Sequence, residues 1–286
     1  MKRAVELVSV VIPCYNSGTT ISQTVASVKA QTWPNIEIVI VDDGSNDPLT
    51  IQVLDALDNV ILLRQVNSGL PAARNSGFRA ASGNFVLPLD ADDWIDAETI
   101  TVMIRALQSN GYSGYIYCDV CLEGEGNGIL QKPYNYFQQL FINQIPYCLL
   151  IPKQIWESIG GYDETMCQGY EDWEFNIRLG WRGYHGIRVA QPLFHYRISS
   201  SGMLISKSNR LHGQLWSEIQ SRHATIYRMN NLYRLWQTWR NKSSQYSLET
   251  YLIWFCMHQL LPVAVFSLLF KCLRERTHKS RMSLKC

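Results

Sequence analysis

Residues 7–45 of this chain, LVSVVIPCYNSGTTISQTVASVKAQTWPNIEIVIVDDGS, contain the pattern that decides the fold. Leu7–Ile12 is a continuous apolar run that ends at Pro13, and such a run is typical of a buried strand. In Thr19–Ala30 the apolar residues recur at helical spacing, which predicts an amphipathic helix. A second, mainly apolar stretch, Ile36–Val41, predicts the next strand. The stretch is therefore a strand–helix–strand unit.

The same alternation continues along the first third of the chain. It predicts a helix near Thr50–Leu57, a strand at Val60–Leu63, a helix at Ala72–Ala81, a strand at Phe85–Leu89 and a helix around Ile100–Leu107. Strands that alternate with helices predict an α/β fold, in which a mostly parallel sheet is flanked by helices. Ligands of such sheets bind at the carboxyl ends of the strands.

Acidic residues follow the carboxyl ends of the predicted strands. Asp42-Asp43-Gly44-Ser45 follows one strand, Asp90-Ala91-Asp92-Asp93 follows another, and Glu171-Asp172 opens a later helix. Carboxylates packed this closely repel one another, and a divalent cation such as Mg²⁺ or Mn²⁺ relieves the repulsion. Each cluster taken alone is also typical of a simple turn, in which Asp93 or Asp96 would cap the following helix. Both interpretations stay open for a single cluster.

Several motifs occur in the order that one enzyme family shows. They are SVVIPCYN at 9–16, VDDGS at 41–45, NSGLPAARNSG at 67–77, LDADD at 89–93 and YED at 170–172. In these motifs residues 7–205 resemble the family 2 inverting glycosyltransferases, which have the GT-A fold. The resemblance implies a metal-dependent transfer of a sugar from a nucleotide-sugar donor, most simply a UDP-sugar, to a hydroxyl of a glycan or lipid-linked acceptor. It also implies a role in cell-surface polysaccharide synthesis, and it identifies neither the sugar nor the acceptor.

The resemblance assigns residues to the donor site. Pro13 and Tyr15 would line the pocket for the nucleotide base, and Asp42 would accept a hydrogen bond from the base. The residues implied beside the nucleotide, its diphosphate and the donor sugar are Arg74, Asn75, Asp90, Ala91 and Arg197.

It also assigns residues to the chemistry. Asp172 would be the general base that removes the proton of the acceptor hydroxyl, with Glu171 and Trp173 on the acceptor side. Asp92 would hold Mn²⁺ or Mg²⁺, and His195 is a candidate to complete the metal shell. A histidine flanked by aromatic residues is also often a satisfied core residue, so the role of His195 stays open.

Charge divides the chain into two parts. The formal net charge is +2, but residues 1–206 sum to −8 and residues 207–286 sum to +10. We therefore predict a GT-A catalytic domain at 1–206 and a basic, helical, membrane-associated region at 207–286. Ser199–Gly202, just before this boundary, has the composition of a mobile lid.

Tyr251–Phe270 carries no formal charge and is long enough to cross a bilayer. His258, Gln259 and Pro262 interrupt it and basic residues flank both ends, so an in-plane helix on an anionic membrane surface suits the charges better than a span. A helical cap that packs on the catalytic domain or on another subunit is the alternative, which leaves a homo-oligomer open. The first residues lack a secretory-signal pattern, which predicts a cytoplasmic catalytic part attached to the inner membrane face.

Other functions are less well supported by the sequence. The basic tail contains no recognisable nucleic-acid-binding module, so we expect no nucleic acid partner. Cys118 and Cys121 form an isolated CxxC pair without a second ligand pair, which disfavours zinc and favours inert thiols. Two alternatives stay open: a transferase whose acceptor is a polyprenyl phosphate, which needs no base, and a membrane scaffold that binds nucleotide-sugars without turnover.

Overall fold

The computed structural model describes residues 6–199, 211–244 and 246–262, together with residues 265, 266 and 269. The strands are β1 Val8–Cys14, β2 Ile36–Asp42, β3 Ile61–Arg64, β4 Phe85–Pro88, β5 Trp94–Ile95, β6 Tyr115–Gly124, β7 Gly128–Leu130, β8 Ile151–Pro152 and β9 Gly186–Ile198. The helices are α1 Ile21–Lys29, α2 Pro48–Ala56, α3 Leu70–Ala80, α4 Thr99–Ser109, α5 Tyr136–Gln139, α6 Lys153–Ser158, α7 Glu171–Trp181, α8 His212–Arg222, α9 Met229–Trp239 and α10 Leu248–Leu260.

The larger sheet has the strand order β3-β2-β1-β4-β8. Strands β3, β2, β1 and β4 run parallel to one another, and the short edge strand β8 runs antiparallel to β4. Every residue of β1 is buried, because the strand is central in the sheet and covered on both faces. The predicted α/β fold with a mostly parallel sheet is confirmed.

A second sheet has the order β5-β9-β6-β7, which the sequence pattern did not predict. Strands β6 and β9 are parallel, with a shift in register around Asp119, and the other two pairings are antiparallel. The two-residue strand β5 places Trp94 opposite His195 of β9. This pairing brings the segment after β4 against the end of β9.

The core lies on both faces of the larger sheet. Val10 and Ile12 of β1 belong to one apolar cluster, and Val11 between them belongs to another. Helix α3 lies very close to this strand at Gly77, where an added Cβ would be only 2.3 Å from Cγ1 of Val11. A side chain at Gly77 would push the helix away, so this glycine sets the distance between α3 and the sheet. Arg74 lies one turn earlier on the same helix.

A third cluster joins the C-terminal helices to the rest of the fold. It is rich in aromatic residues from α5 and the segment just after it, and from α7, α8 and α10, among them Tyr136, Phe141, Trp173, Trp216 and Tyr251. The predicted C-terminal helical region is therefore present. The predicted domain boundary at residue 206 and most of the predicted lid lie in residues 200–210, outside the described residues.

Helix α10 covers the first half of the apolar stretch predicted at Tyr251–Phe270, whose later part is only partly described. Tyr251 and Phe255 of this helix are buried in the aromatic cluster, while Ile253 and Leu260 are exposed. Among the residues that the structure describes, no helix has both the length and the apolar character needed to cross a bilayer. The helix thus caps the fold with one face and presents an apolar face outward.

Candidate active site

The carboxyl ends of β1 and β2 form the edge at which the base pocket was predicted. Cys14 at the end of β1 is in register with Asp42 at the end of β2. Pro13 is buried at this edge. Tyr15, two residues later, is 48% exposed and is therefore available to a ligand. Asp42 is buried and accepts a hydrogen bond of 2.9 Å from the backbone N–H of Ser45. The structure therefore brings Pro13, Tyr15 and Asp42 to one edge.

Asp43 holds the loop that leads into α3. One of its carboxylate oxygens accepts hydrogen bonds from the Gln65 amide at 2.7 Å and from the Ser68 N–H at 2.9 Å. The other accepts a hydrogen bond of 2.9 Å from the N–H of Gly69, the residue at the N-cap of α3. Both oxygens are thus used inside the protein, which is a structural role that the sequence motif does not reveal.

Arg74 connects two groups of acids that are far apart in the sequence. Its side chain is 1% exposed. One guanidinium nitrogen donates to both oxygens of Asp90, at 2.8 and 3.1 Å, and another donates to Glu171 at 2.7 Å. The rings of Tyr147 and Tyr162 lie 4.9 and 5.5 Å from the guanidinium carbon. Burial alone would lower the pKa of Arg74, but Asp90 and Glu171 raise it well above its ordinary value.

Asn75 is not part of that arrangement, although it is the next residue. Its amide oxygen accepts a hydrogen bond of 2.9 Å from the N–H of Tyr162. Its amide nitrogen donates to the Tyr162 carbonyl and to Glu164, both at 2.9 Å. Because successive residues of a helix point in different directions, Arg74 and Asn75 cannot both face the same edge. In this structure Asn75 fastens the loop before α7 to α3 instead of lying open beside a nucleotide.

The acids after β4 have different environments. Asp93 is buried, and its carboxylate accepts hydrogen bonds from the Tyr147 hydroxyl at 2.5 Å and from the N–H of Arg197 at 2.7 Å. Burial raises the pKa of Asp93 well above its ordinary value. Helix α4 has Glu98 at its N-cap, so neither Asp93 nor Asp96 caps it. Ala91 is buried in the apolar core. The segment is therefore packed into the protein, unlike a simple acidic turn on the surface.

Asp92 is the acid of this segment that fits a metal. Among the described residues, no side chain donates a hydrogen bond to its carboxylate. Burial, and then the nearby charge of Asp90, raises the pKa of Asp92 to about 6. Two neighbouring carboxylates with hard oxygen atoms suit Mg²⁺ or Mn²⁺, whose charge would favour the ionised form of both. Arg197 borders this group, because its Nε donates to the Asp92 carbonyl at 2.9 Å.

His195 is not directed at Asp92. Its Nδ1 lies 3.1 Å from Glu123 and its Nε2 lies 3.0 Å from Asp96, and its ring stacks on Trp94 at 5.1 Å. Cys121, Glu123 and His195 have ligand-type atoms within 4.8 Å of one another, but Cys121 is not among the free thiols of the described residues. The predicted pairing of Asp92 with His195 is therefore not formed here, since both ring nitrogens contact other carboxylates.

Glu171 and Asp172 are the first residues of α7, and each has its own partners. Glu171 is buried, and burial raises its pKa to about 7 even though Arg74 acts in the opposite direction. Asp172 is half-buried and accepts hydrogen bonds from the Asn143 amide at 2.9 Å and from the Trp173 N–H at 2.7 Å. Burial also raises the pKa of Asp172. A carboxylate whose pKa is raised toward neutrality is suited to accept a proton.

Trp173 is placed differently from the expectation. It is 1% exposed, and its indole N–H donates to the Gln139 carbonyl at 2.5 Å. Its ring belongs to the aromatic cluster under the C-terminal helices, so it offers no face to an acceptor sugar in this structure. On α7 the side chain points into the core while its neighbour Asp172 does not, which follows from the helical rotation between adjacent residues.

Two residues near the site had no signal in the sequence. Tyr147 contacts the acids after β4 twice, because its hydroxyl accepts a hydrogen bond of 3.0 Å from the Asp90 N–H and donates to Asp93. Asn143 donates to Asp172. Both lie between β7 and β8, where the sequence has no motif and no clear period, so only the fold reveals their proximity to the acids.

The family model for glycosyl transferase family 2 matches residues 9–166, which is more than half of the chain. The chain belongs to glycosyl transferase family 2. The matched residues contain all but the first residue of β1, the whole of β2–β4 and the acids that follow β2 and β4. The predicted family is thus confirmed, while the matched range ends before Glu171 and Asp172.

Two curated relatives illustrate the family. EpsH of Bacillus subtilis, which carries a glycosyltransferase name, is 29% identical over 224 residues, covering 69% of this chain and 62% of EpsH. WfgD of Escherichia coli, named as a UDP-Glc:alpha-D-GlcNAc-diphosphoundecaprenol beta-1,3-glucosyltransferase, is 38% identical over 110 residues, covering 37% of this chain and 43% of WfgD. The matches span less than two thirds of either relative's length.

Solved structures show the same fold. The mannosyltransferase PcManGT from Pyrobaculum calidifontis, in complex with GDP-Man and Mn²⁺, matches 95% of this chain and 81% of its own, with a TM-score of 0.59 and 16% identity. TarS 1–349 of S. aureus, in complex with UDP, matches 78% of this chain and 73% of its own, with a TM-score of 0.55 and 21% identity. The GT-A fold of the chain is thereby confirmed.

Proposed function

We propose that this chain is a metal-dependent, inverting glycosyltransferase, which moves a sugar from a nucleotide-sugar to an acceptor hydroxyl. The observation that carries the proposal is the bridge made by Arg74. It joins Asp90, on the predicted donor side, to Glu171, which precedes the predicted base. Direct displacement at a sugar carbon needs a donor site and a base close together, and one buried guanidinium spans the two here.

The chain's own residues have distinct tasks in this reaction. Asp172 accepts the proton of the acceptor hydroxyl as that oxygen attacks the donor sugar, and the amide of Asn143 orients its carboxylate. Asp42 and Tyr15 bind the nucleotide base at the ends of β1 and β2. Arg197, beside Asp92, is available to the diphosphate. The diphosphate leaves with the electron pair of the broken bond, and attack from the opposite side inverts the configuration.

Asp92 would hold the metal, next to the Asp90 carboxylate that pairs with Arg74. When bound, Mn²⁺ or Mg²⁺ supplies positive charge next to the departing diphosphate. The Mn²⁺ in the PcManGT complex supports this choice by analogy of fold. To test it, Mn²⁺-dependent UDP binding is measured by calorimetry for Asp92→Asn and for the exposed control Asp58→Asn, which lies away from these acids. We expect Asp92→Asn to lose binding and Asp58→Asn to keep it, and loss in both or in neither would contradict the assignment.

The donor and acceptor are proposed from the relatives. WfgD is named for a UDP-linked sugar and a lipid-linked acceptor, and TarS binds UDP. We therefore propose a UDP-sugar donor and a glycan or lipid-linked acceptor in cell-surface polysaccharide synthesis. A screen of donors with Mn²⁺ that measures release of nucleoside diphosphate tests this proposal. Donor binding without release from any donor would favour the scaffold alternative.

Substitution of the proposed base, Asp172, distinguishes a hydroxyl acceptor from a polyprenyl phosphate acceptor. If the acceptor is a hydroxyl, Asp172→Asn should reduce kcat by about 10²–10⁴-fold while donor binding persists. If the acceptor is a polyprenyl phosphate, which is already ionised, the variant should keep near wild-type transfer. Glu157→Gln, which changes an exposed acid of α6, is the matched control and should leave kcat unchanged.

We also propose that α9 and α10 attach the catalytic part to the cytoplasmic face of an anionic membrane. Residues 224–248 contain Arg228, Arg234, Arg240 and Lys242 and no acid. The exposed apolar residues of the two helices are Met229, Tyr233, Ile253 and Leu260. Cationic side chains beside exposed apolar residues match the chemistry of an anionic headgroup layer.

Vesicle flotation tests the membrane proposal. The protein is mixed with phosphatidylcholine vesicles that contain or lack phosphatidylglycerol. We expect binding only to the anionic vesicles, and a loss of about tenfold or more for Arg234→Gln with Arg240→Gln, since each cation contributes about 1 kcal/mol. Arg79→Gln with Arg105→Gln removes the same charge from exposed positions elsewhere and should bind normally. Dimerisation without vesicle binding would show that a second copy covers this face instead.

A further inference from the structure

Tyr170 leads into the two acids of α7 with an unusual backbone. It has a φ of +67°, and Gly169 before it has a φ of +109°. The left-handed conformation is unfavourable for a bulky residue, so the contacts around Tyr170 must hold it in place. The Tyr170 side chain, at the N-cap of α7, makes no capping hydrogen bond to the helix. The contacts that fix Tyr170 therefore help to set the position of Glu171 and Asp172, together with Arg74 and Asn143.

The ring of Tyr170 is held by His212, the first residue of α8. The Tyr170 hydroxyl and Nδ1 of His212 are joined by a hydrogen bond of 3.0 Å, and the two rings meet edge-on at 5.8 Å. His212 is buried and lies parallel to Trp173 at 6.1 Å, with an angle of 7° between the rings. The His212 ring also stacks on Trp216 at 6.0 Å.

His212 thus contacts the residues on both sides of the Glu171–Asp172 pair. Tyr170 precedes the pair, and Trp173 follows it. The backbone N–H of Trp173 also donates to the Asp172 carboxylate, and the Trp173 indole is hydrogen-bonded to Gln139. A shift of the His212 ring would therefore move the start of α7 through two contacts.

We propose that His212 is a positioning residue for Asp172, and that the C-terminal helices complete the catalytic centre through it. The proposal rests on the proposed function, since it assumes that Asp172 is the base. His212 itself touches neither donor nor acceptor in this assignment. It acts by holding Tyr170 in its left-handed conformation and Trp173 in its place, so that the Asp172 carboxylate faces the acceptor hydroxyl.

Three substitutions test the hydrogen bond between Tyr170 and His212 separately from the packing of the His212 ring. Tyr170→Phe removes only the hydroxyl, His212→Ala removes the ring, and His212→Asn keeps a polar atom near the position of Nδ1. We expect Tyr170→Phe and His212→Ala to lower kcat about tenfold while the donor KM stays within twofold, and His212→Asn to recover part of kcat. A small displacement of a catalytic group is enough for a loss of this size.

His258 provides a matched control. It is also buried in the C-terminal helices and packs against Trp216 at 4.5 Å, and its hydrogen-bond partners include Ser217 and Gln220 rather than Tyr170. His258→Ala should lower the melting temperature at least as much as His212→Ala, yet keep kcat when assayed well below that temperature. Equal losses of kcat in both variants would show that His212 is only a core residue and would overturn the proposal.

Hydrogen–deuterium exchange gives a readout that does not depend on activity. In His212→Ala, amides of residues 170–174 should exchange at least tenfold faster than in the wild type, and in His258→Ala they should not. Exchange that speeds up evenly across α8–α10 in both variants would refute the positioning role. If the wild type transfers no sugar but the local effect appears, the proposed function fails while the positioning of the two acids by His212 stands.

Discussion

Substitution of Arg74 by methionine tests the arrangement on which the site depends. Methionine keeps much of the side-chain volume but removes the charge that pairs with Asp90 and Glu171. Since the guanidinium is 1% exposed, the two carboxylates would lose their counter-charge in a place that water reaches poorly. Removing one partner of a buried ion pair costs about 3–5 kcal/mol of unfolding free energy. For a chain of this size, at about 2 °C per kcal/mol, that corresponds to a fall in Tm of roughly 6–10 °C.

The loss of unfolding free energy in Arg74→Met should depend on pH in a defined direction. The pKa of Glu171 is already raised by burial to about 7, and Arg74 acts to lower it. A carboxylate whose pKa is higher in the folded state stabilises the fold at low pH and loses that contribution as the pH rises through the folded pKa. Without Arg74 this pKa rises further, so the deficit of the variant should be small near pH 5 and large at pH 8.

Urea denaturation followed by circular dichroism measures both quantities. Arg79→Met is the matched control, because Arg79 lies on the same helix and makes an exposed ion pair with Glu164. We expect the control to lose less than about 1 kcal/mol, independent of pH. The reasoning would be refuted if Arg74→Met were as stable as Arg79→Met at pH 8, or if its deficit were larger at pH 5 than at pH 8.

Three further outcomes follow from the same structure. Because burial raises the pKa of Asp172, kcat/KM should fall on the acid side with an apparent pKa above the ordinary aspartate value of about 4, and an acid limb at that ordinary value would contradict the assignment of this buried carboxylate as the base. Because the pKa of Asp92 is about 6, apparent Mn²⁺ affinity measured by calorimetry should weaken by up to about tenfold per pH unit below that value, and affinity that does not change with pH would exclude Asp92 as a ligand. An added Cβ at Gly180 would lie 2.1 Å from the Tyr136 ring, so Gly180→Ala should destabilise the protein by about 1–3 kcal/mol in urea, and an unchanged midpoint would show that α5 does not pack there.

Local signals explain why much of the fold was predictable. Strands β1, β2 and β4 are mainly apolar because they lie inside the sheet and are largely buried, and they were found within about two residues of their ends. The second sheet was missed because its strands are short or irregular. Strand β5 has two residues, and β6 and β9 shift register near Asp119. Such pairing depends on distant partners rather than on local composition.

The candidate site shows the same division. Its acids were predictable because parallel strands place their carboxyl ends at one edge, so a motif after each strand locates Asp42, Asp90 and Asp92 in space. The directions of neighbouring side chains were not predictable from motifs. Asn75 and Trp173 lie beside Arg74 and Asp172 in the sequence but point into packed regions, because adjacent helical residues are rotated by about 100°.

The sequence by itself determined the family, the parallel sheet and the positions of the acids, because each depends on a local pattern of a few residues. Only the tertiary structure decided which acids are joined by Arg74, that His195 contacts Glu123 and Asp96, and that the C-terminal helices reach the start of α7 through His212. These contacts connect residues that are distant along the chain. Their geometry depends on how sheets and helices pack, a property that no local stretch of sequence contains.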